Sequence, residues 1–117
     1  MVLVISRVHG ASLDADGEHI CDINKGLLVY VGISSEDTEE TVLKGVEKTA
    51  NLRIFPNEEG KMFYSVKDIC GDVLAVSNFT LCANVKSRRP DFTGAAKPDR
   101  AKMLFETVIE NESDSIK

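Results

Sequence analysis

Alternating apolar and polar residues in the first quarter of the chain predict a series of short β-strands. This pattern covers residues 2–8, 12–14 and 18–23. Asp16-Gly17, between the second and third of these, is a strong hairpin signal because a tight turn favours residues that tolerate positive φ. The run 27–33, "LLVYVGI", is apolar on both faces and predicts a strand covered on two sides.

The spacing of apolar residues then changes to that of a helix. Val42, Leu43, Val46 and Ala50 form one apolar stripe. Asp37, followed three residues later by Glu40, resembles a capping box, although the usual cap is Ser or Thr. Gly45 within this helix costs about 1 kcal/mol relative to alanine, so it predicts a close packing contact.

The second half of the chain predicts three more strands and one more helix. The strands cover 52–55, 62–66 and 72–81, and Pro98 lies near the first position of the helix. The helix has the clearest apolar periodicity in the chain, at Ala101, Leu104, Phe105, Val108 and Ile109. We therefore expect one α+β domain over residues 1–117, a mostly antiparallel sheet with two helices packed on it.

Composition is that of a globular protein of 117 residues with 43% hydrophobic content. No apolar run approaches the roughly 20 residues of a membrane helix, and the N-terminus lacks the features of a signal peptide. The three cysteines are widely spaced and form no C-x-x-C motif, which disfavours a disulfide framework or a zinc site and suits the cytoplasm.

Positive charge is concentrated in one part of an acidic chain. The net charge is −5, yet residues 86–102 hold six basic and two acidic residues. A basic island on an acidic body suits a partner contacted at one place, such as the end of a nucleic acid. A solvated loop and helix face would carry the same charges, and charge alone does not separate the two interpretations.

The segment "VSNFTL" ends an apolar strand in polar residues, Ser77, Asn78 and Thr80. They could be edge residues facing water. Alternatively, a rigid strand end can present N–H donors to the charge that develops on a reacting carbonyl. A hydroxyl nucleophile would need a base. His9 and His19 lie far away in the N-terminal hairpins, so triad chemistry is disfavoured, as is metal chemistry, because no ligand spacing is visible.

Several motifs together resemble the D-aminoacyl-tRNA deacylase (D-tyrosyl-tRNA deacylase) family. They are "RVHGASLDADGE", "NKGLLVYVGI", "NLRIF", "EEGKM", "VSNFTL" and "SRRPDFTGAAKP", and the resemblance covers essentially all of the chain. It implies a barrel-like, mostly antiparallel α+β fold and a cytoplasmic homodimer with active sites at the subunit interface. The implied reaction, without a cofactor or metal, is hydrolysis of the ester that joins a D-amino acid, or glycine, to the terminal adenosine of tRNA.

The resemblance also implies the site residues. The family's Ser-Gln-Phe-Thr-Leu motif falls on residues 77–81, so Ser77, Asn78, Phe79 and Thr80 are the expected catalytic residues. The N–H groups of Phe79 and Thr80 would face the ester carbonyl, and Thr80 would hold the amino group or the attacking water, or act as nucleophile. Without a visible base we favour positioning by Thr80, with assistance from the 2′-hydroxyl of the tRNA. The substrate-binding set, near the phosphates of the acceptor end, is Lys86, Arg88, Arg89, Pro90 and Phe92.

Three departures from the family pattern stand out. Asn78 replaces glutamine and is one methylene shorter, so a hydrogen bond made by that glutamine would need a shift or a water. Phe63 stands where asparagine is common. The family's C-terminal Gly-Pro segment, which rejects L-amino acids, has no counterpart here, so we expect a shortened chain with weak discrimination between D and L substrates.

Two alternatives to an active hydrolase remain at this point. One is a catalytically impaired relative that binds nucleic acid through the same fold and basic loop. The other is a structural dimer module, which would leave the polar strand end and the basic island unexplained.

Overall fold

A computed structural model describes residues 1–84 and 88–116 of the chain, with side chains to residue 109. The elements follow the order that the sequence predicts, with four strands before the first helix. The strands are β1 (Val2–Val8), β2 (Ala11–Ala15), β3 (Glu18–Ile23), β4 (Gly26–Gly32), β5 (Phe55–Pro56), β6 (Met62–Tyr64) and β7 (Asp72–Ser77). The helices are α1 (Glu39–Asn51) and α2 (Pro98–Ile116), and a 3-10 turn covers Phe79–Cys82.

The central sheet has the strand order β1-β4-β7. β1 and β4 are antiparallel, with Val2 opposite Gly32, whereas β4 and β7 are parallel, with Gly26 opposite Asp72. The pairs β2–β3 and β5–β6 are both antiparallel. The strand pairing is thus mostly antiparallel, as predicted, but the strands form three separate sheets. The parallel pair was not predicted, because parallel strands lack the short hairpin signal that marks antiparallel neighbours.

The core lies between one face of this sheet and the two helices. Leu27, Val29 and Val31 of β4 point into it and are 0% exposed. The helices contribute the facing side chains, which are Val42, Val46, Ala50, Leu104 and Val108. The opposite face of β4 carries Tyr30, which is 36% exposed. Among the described residues, β4 is therefore fully covered on one face only, whereas the sequence predicted cover on both faces.

Helix α1 begins one residue later than the capping pattern predicted. Its N-cap is Thr38, and Thr41 completes the capping box, with Thr41 N–H donating to Thr38 Oγ1 at 3.3 Å. The prediction that Asp37 and Glu40 form this cap was wrong. The carboxylate of Asp37 instead accepts hydrogen bonds from the Met1 ammonium and from Ser34.

The stripe of α1 is buried at three of its four predicted positions. Leu43 is the exception, since it is 39% exposed. The predicted close contact at Gly45 is present, because a Cβ added there would collide with Met1 Cε. The first residue of the chain therefore packs directly on the glycine of α1.

Helix α2 begins at Pro98, as predicted. Leu104 and Val108 are buried, while Ile109 is 42% exposed and lies at the edge of the predicted stripe. In the part of the chain that the structure describes, no helix is long and apolar enough to cross a membrane.

The strands of the second half are shorter than predicted. The predicted strand 52–55 contributes only Phe55 to β5, and β6 ends at Tyr64, where Ser65 enters a turn. In that turn Ser65 N–H donates to Asp68 Oδ2 at 2.9 Å. Hydrogen bonds from the Ser65 N–H and hydroxyl hold the pKa of Asp68 below its ordinary value. The local pairing satisfies groups that would otherwise extend the ladder.

Candidate active site

Strand β7 ends at Ser77, four residues earlier than the apolar pattern predicted. Asn78 N–H still donates to Val31 O at 2.8 Å, which is the last bond from this strand to β4. The chain then turns into the 3-10 segment Phe79–Cys82, with Asn78 as its N-cap. The polar residues interrupt the strand because an asparagine side chain can satisfy the backbone of the next turn.

The side chain of Asn78 fixes the position of Thr80. Asn78 Oδ1 accepts from Thr80 N–H at 3.1 Å and from the Thr80 hydroxyl at 2.5 Å. The shorter asparagine thus reaches both groups directly, without a water. Thr80 N–H, which the resemblance expects to face a substrate carbonyl, donates to Asn78 in this structure. Among the described residues, the Phe79 N–H has no acceptor.

This turn packs on Gly32, the last residue of β4. A Cβ added at Gly32 would lie 2.7 Å from Leu81 Cβ and 3.3 Å from Asn78 O. Only glycine allows so close an approach without moving the turn. The position of Thr80 relative to the sheet therefore depends on Gly32.

A groove of about 800 Å³ opens beside the strand end and the first turns of α2. Its walls are largely apolar, with two lysines among them. The lining residues are Ser77, Phe79, Phe92, Thr93, Ala95, Ala96, Lys97, Pro98, Ala101, Lys102 and Phe105. Apolar walls with a few polar groups are typical of sites for small organic ligands.

A hairpin carries the basic loop next to this groove. Asn84 and Asp91 pair through two backbone hydrogen bonds, of 2.7 and 2.8 Å, and so close the loop. Hydrogen bonds from the Thr93 backbone and side chain hold the pKa of Asp91 below its ordinary value. Phe92, just after the pair, meets Phe79 edge to face with ring centroids 5.3 Å apart. The hairpin is thereby attached to the strand end.

The predicted site residues are only partly brought together. Ser77, Phe79 and Phe92 line the groove, whereas Asn78 and Thr80 form the turn beside it. Arg88, Arg89 and Pro90 are exposed on the hairpin loop. Lys86 lies outside the described residues.

Eight residues of the groove lining were not predicted as site residues, and four of them carry a polar or aromatic side chain other than proline. Lys97 and Lys102 belong to the basic island, and their charges were the signal that could have indicated them. Phe105 was assigned to the apolar stripe of α2, and Thr93 lies in the motif "SRRPDFTGAAKP" but was given no role. A helical stripe does not reveal that one of its members also faces a groove.

The histidines are not part of the groove. His19 Nδ1 lies 3.0 Å from Asp14 Oδ1 on the β2–β3 hairpin, and His9 lies in the turn after β1. No imidazole or carboxylate belongs to the described lining of the groove. A hydroxyl nucleophile therefore has no imidazole or carboxylate base in the described lining.

The fold is that of a small α+β protein with a groove at the carboxyl ends of two parallel strands. The family model described as D-Tyr-tRNA(Tyr) deacylase matches residues 4–117. The chain belongs to this family, which confirms the family resemblance of its motifs.

Three curated relatives, all named D-aminoacyl-tRNA deacylase, match nearly the whole chain. The protein of Sulfurihydrogenibium is 45% identical over 100% of this chain and 80% of its own length. That of Aquifex aeolicus is 48% identical over 98% and 78%, and that of Rhodopirellula baltica is 50% identical over 93% and 76%.

Two solved structures share the architecture. One, described as the c-Myc DNA Unwinding Element Binding Protein, has a TM-score of 0.90 at 36% identity over 98% of this chain and 78% of its own. The other, a probable eukaryotic D-amino acid tRNA deacylase, has a TM-score of 0.84 at 16% identity over 97% and 67%. The second supports the fold alone.

Proposed function

We propose that this chain hydrolyses the ester of D-aminoacyl-tRNA at the groove beside the strand end. The relatives named deacylase support the reaction. The observation that carries its location is the turn in which Asn78 holds Thr80 next to an apolar groove. A groove of this size suits the aminoacyl group and its terminal adenosine, with an aromatic edge at Phe79 and Phe92 for a base or side chain.

In the proposed reaction, the oxygen of water forms the new bond to the ester carbonyl carbon. The bond from that carbon to the ribose oxygen breaks, and the ribose oxygen takes a proton. The products are a free D-amino acid and tRNA. Phe79 N–H is the donor available to the carbonyl oxygen, since Thr80 N–H already donates to Asn78. Charge on that oxygen grows in the transition state, so a fixed donor lowers the barrier.

Thr80 has the properties of a positioning group. Its hydroxyl proton points to Asn78 Oδ1, an amide oxygen that cannot act as a base at neutral pH. The lone pairs of Thr80 Oγ1 remain available to accept from the substrate's amino group or from the attacking water. Because no imidazole or carboxylate lines the described groove, the 2′-hydroxyl of the tRNA is the proposed partner in proton transfer.

The basic residues around the groove suit the phosphates of the acceptor end. Lys97 and Lys102 lie in the groove wall, and Arg88 lies on the hairpin loop. Contacts to phosphates position a nucleic acid without reading its sequence. An aminoacyl-tRNA, which is used in the cytoplasm, therefore fits both the apolar and the charged parts of the site.

A bulky side chain in the groove tests the location. We expect Thr93→Trp to raise KM for D-tyrosyl-tRNA about tenfold, because the indole would occupy the space of the aminoacyl end. Met103→Trp is the control, since Met103 is exposed on α2 and does not line the groove. The measurement is release of D-tyrosine from tRNA. No release by the unaltered chain would contradict the proposed function, and equal KM values would contradict the location.

We also propose a homodimer formed by the uncovered face of the central sheet. Val4 and Tyr30 are cross-strand partners on this face and are 43% and 36% exposed. Val2, on the same face, is opposite Gly32, on which the Thr80 turn packs. A second copy on this face would cover the apolar side chains and come close to the active site.

Sedimentation tests the dimer. We expect the chain to sediment as a dimer at micromolar concentration and Val4→Glu to weaken the dimer about a hundredfold, because a charge would be buried without a partner. Leu43→Glu places the same charge on an exposed position of α1 and should leave the dimer intact. A monomer from the unaltered chain would exclude this interface.

A further inference from the structure

The N-terminal ammonium group lies in a buried ion pair with Asp37. Met1 N lies 2.9 Å from Asp37 Oδ2 and 3.0 Å from Oδ1, and the two side chains are 7% and 6% exposed. The Met1 side chain packs on Gly45 of α1. Met1 is therefore held by an ion pair at its amino group and by packing at its side chain.

The carboxylate of Asp37 also organises the end of β4 and the start of α1. It accepts from Ser34 N–H at 2.7 Å and from the Thr41 hydroxyl at 3.0 Å. Burial acts to raise the pKa of Asp37, but the hydrogen bonds from the Met1 ammonium, Ser34 and Thr41 outweigh it and lower the pKa below its ordinary value. The folded chain thus holds Asp37 as a carboxylate.

The same residues are bonded to one wall of the groove. Ser34 forms a β-bridge with Ala95, and Ser35 N–H donates to Gly94 O at 2.9 Å. Ala96 N–H donates to Ile33 O at 2.9 Å. The guanidinium of Arg100, in the first turn of α2, donates to Asp37 O at 2.5 Å. Residues 94–100, which supply Ala95, Ala96, Lys97 and Pro98 to the groove, are fixed at both ends to the segment around Asp37.

We infer that the Met1 ammonium and Asp37 together position the 94–100 wall of the groove, so that blocking the N-terminal amine weakens substrate binding. Acylating Met1 removes the charge, and an N-terminal extension displaces it, so either leaves a buried carboxylate without its cation. Because the amine is buried, the blocking group has to be present before the chain folds. The binding consequence rests on the proposed function of the groove, whereas the positioning of the wall does not.

The chain offers a matched control for Asp37. Asp68 accepts from the N–H of Ser65, three residues earlier, just as Asp37 accepts from Ser34. Neither Ser65 nor Asp68 lines the groove. Asp68→Asn therefore makes the same chemical change in the same local motif, away from the wall.

Two readouts separate the wall from the reaction. Amide exchange at Ser35 and Ala96 reports the bonds that hold the wall, and Val29 in β4 reports global opening. We expect Asp37→Asn, and the chain with Gly-Ser added before Met1, to exchange about tenfold faster at Ser35 and Ala96 but not at Val29. We expect KM for D-tyrosyl-tRNA to rise about five- to tenfold with little change in kcat. Combining both changes should add little, and Asp68→Asn should match the unaltered chain.

The remaining outcomes each support or overturn one part of the inference. Unchanged exchange at Ser35 and Ala96 would overturn the inference whatever the activity does, and so would faster exchange that includes Val29 equally. Faster local exchange with unchanged KM would overturn the binding consequence. Faster local exchange in a chain that releases no D-tyrosine at all would support the positioning of the wall and overturn the proposed function instead.

Discussion

Thr80→Ala should lower kcat/KM for D-tyrosyl-tRNA about a hundredfold, and no acyl-enzyme should accumulate. The hydroxyl of Thr80 donates to Asn78 Oδ1, which leaves its lone pairs free to accept a hydrogen bond. Removing it withdraws one acceptor from the substrate's amino group or the water, while Phe79 N–H and the groove remain. A positioning role therefore predicts an intermediate loss and not complete inactivity.

Thr80→Ser is the matched variant, because it keeps the hydroxyl and loses only a methyl group. Its kcat/KM should stay within about threefold of the unaltered chain, since serine can make the same bond to Asn78. Mass spectrometry after rapid quenching tests for an ester on residue 80. Finding such an adduct would refute the positioning role and would require a base other than the imidazole and carboxylate groups that the described groove lacks.

Gly26→Ala should lower the free energy of unfolding by about 3 kcal/mol or more. A Cβ at Gly26 would collide with the carbonyl oxygen of Asp72 and lie 2.7 Å from its C and N atoms. These are backbone atoms, so no rotamer change can relieve the collision. The first residues of β4 and β7 would have to separate, which breaks the parallel pairing that carries Ser77 and the Thr80 turn.

Gly10→Ala is the control for this prediction. A Cβ there would lie 3.4 Å from Ile23 O, a distance that a small shift accommodates. Its unfolding free energy should stay within about 1 kcal/mol of the unaltered chain. Urea denaturation of both variants measures the difference. Equal midpoints would show that the β4–β7 pairing yields more easily than its backbone contacts indicate.

Local sequence patterns correctly predicted those elements whose boundaries are set by neighbouring residues. The hairpin at Asp16-Gly17 and the start of α2 at Pro98 depend on backbone preferences within a few residues. The N-cap of α1 was predicted one residue too early, because Asp37 matches the cap pattern but is occupied by the distant Met1 ammonium. A residue engaged from outside its own segment cannot be identified by local spacing.

The site was predicted by motif resemblance more than by pattern. Ser77 and Phe79 were expected at a strand end and do line the groove. The end of β7 was predicted too late because Leu81 and Cys82 continue the apolar run, although Asn78 turns the chain before them. Lys102 and Phe105 reach the groove only through the packing of α2 against β7, which no local pattern contains.

The parallel pairing of β4 with β7 also determines how the chain folds. Strands β1 and β4 are separated along the chain only by the β2–β3 hairpin. Gly26 of β4 and Asp72 of β7, in contrast, are separated by a connection that contains α1, β5 and β6. Closing so long a connection costs chain entropy before any contact compensates for it, and contacts distant in sequence slow folding. We therefore expect β7 to dock late. Until it does, the strand end that carries Thr80 has no partner, so the site is completed in one of the last steps of folding.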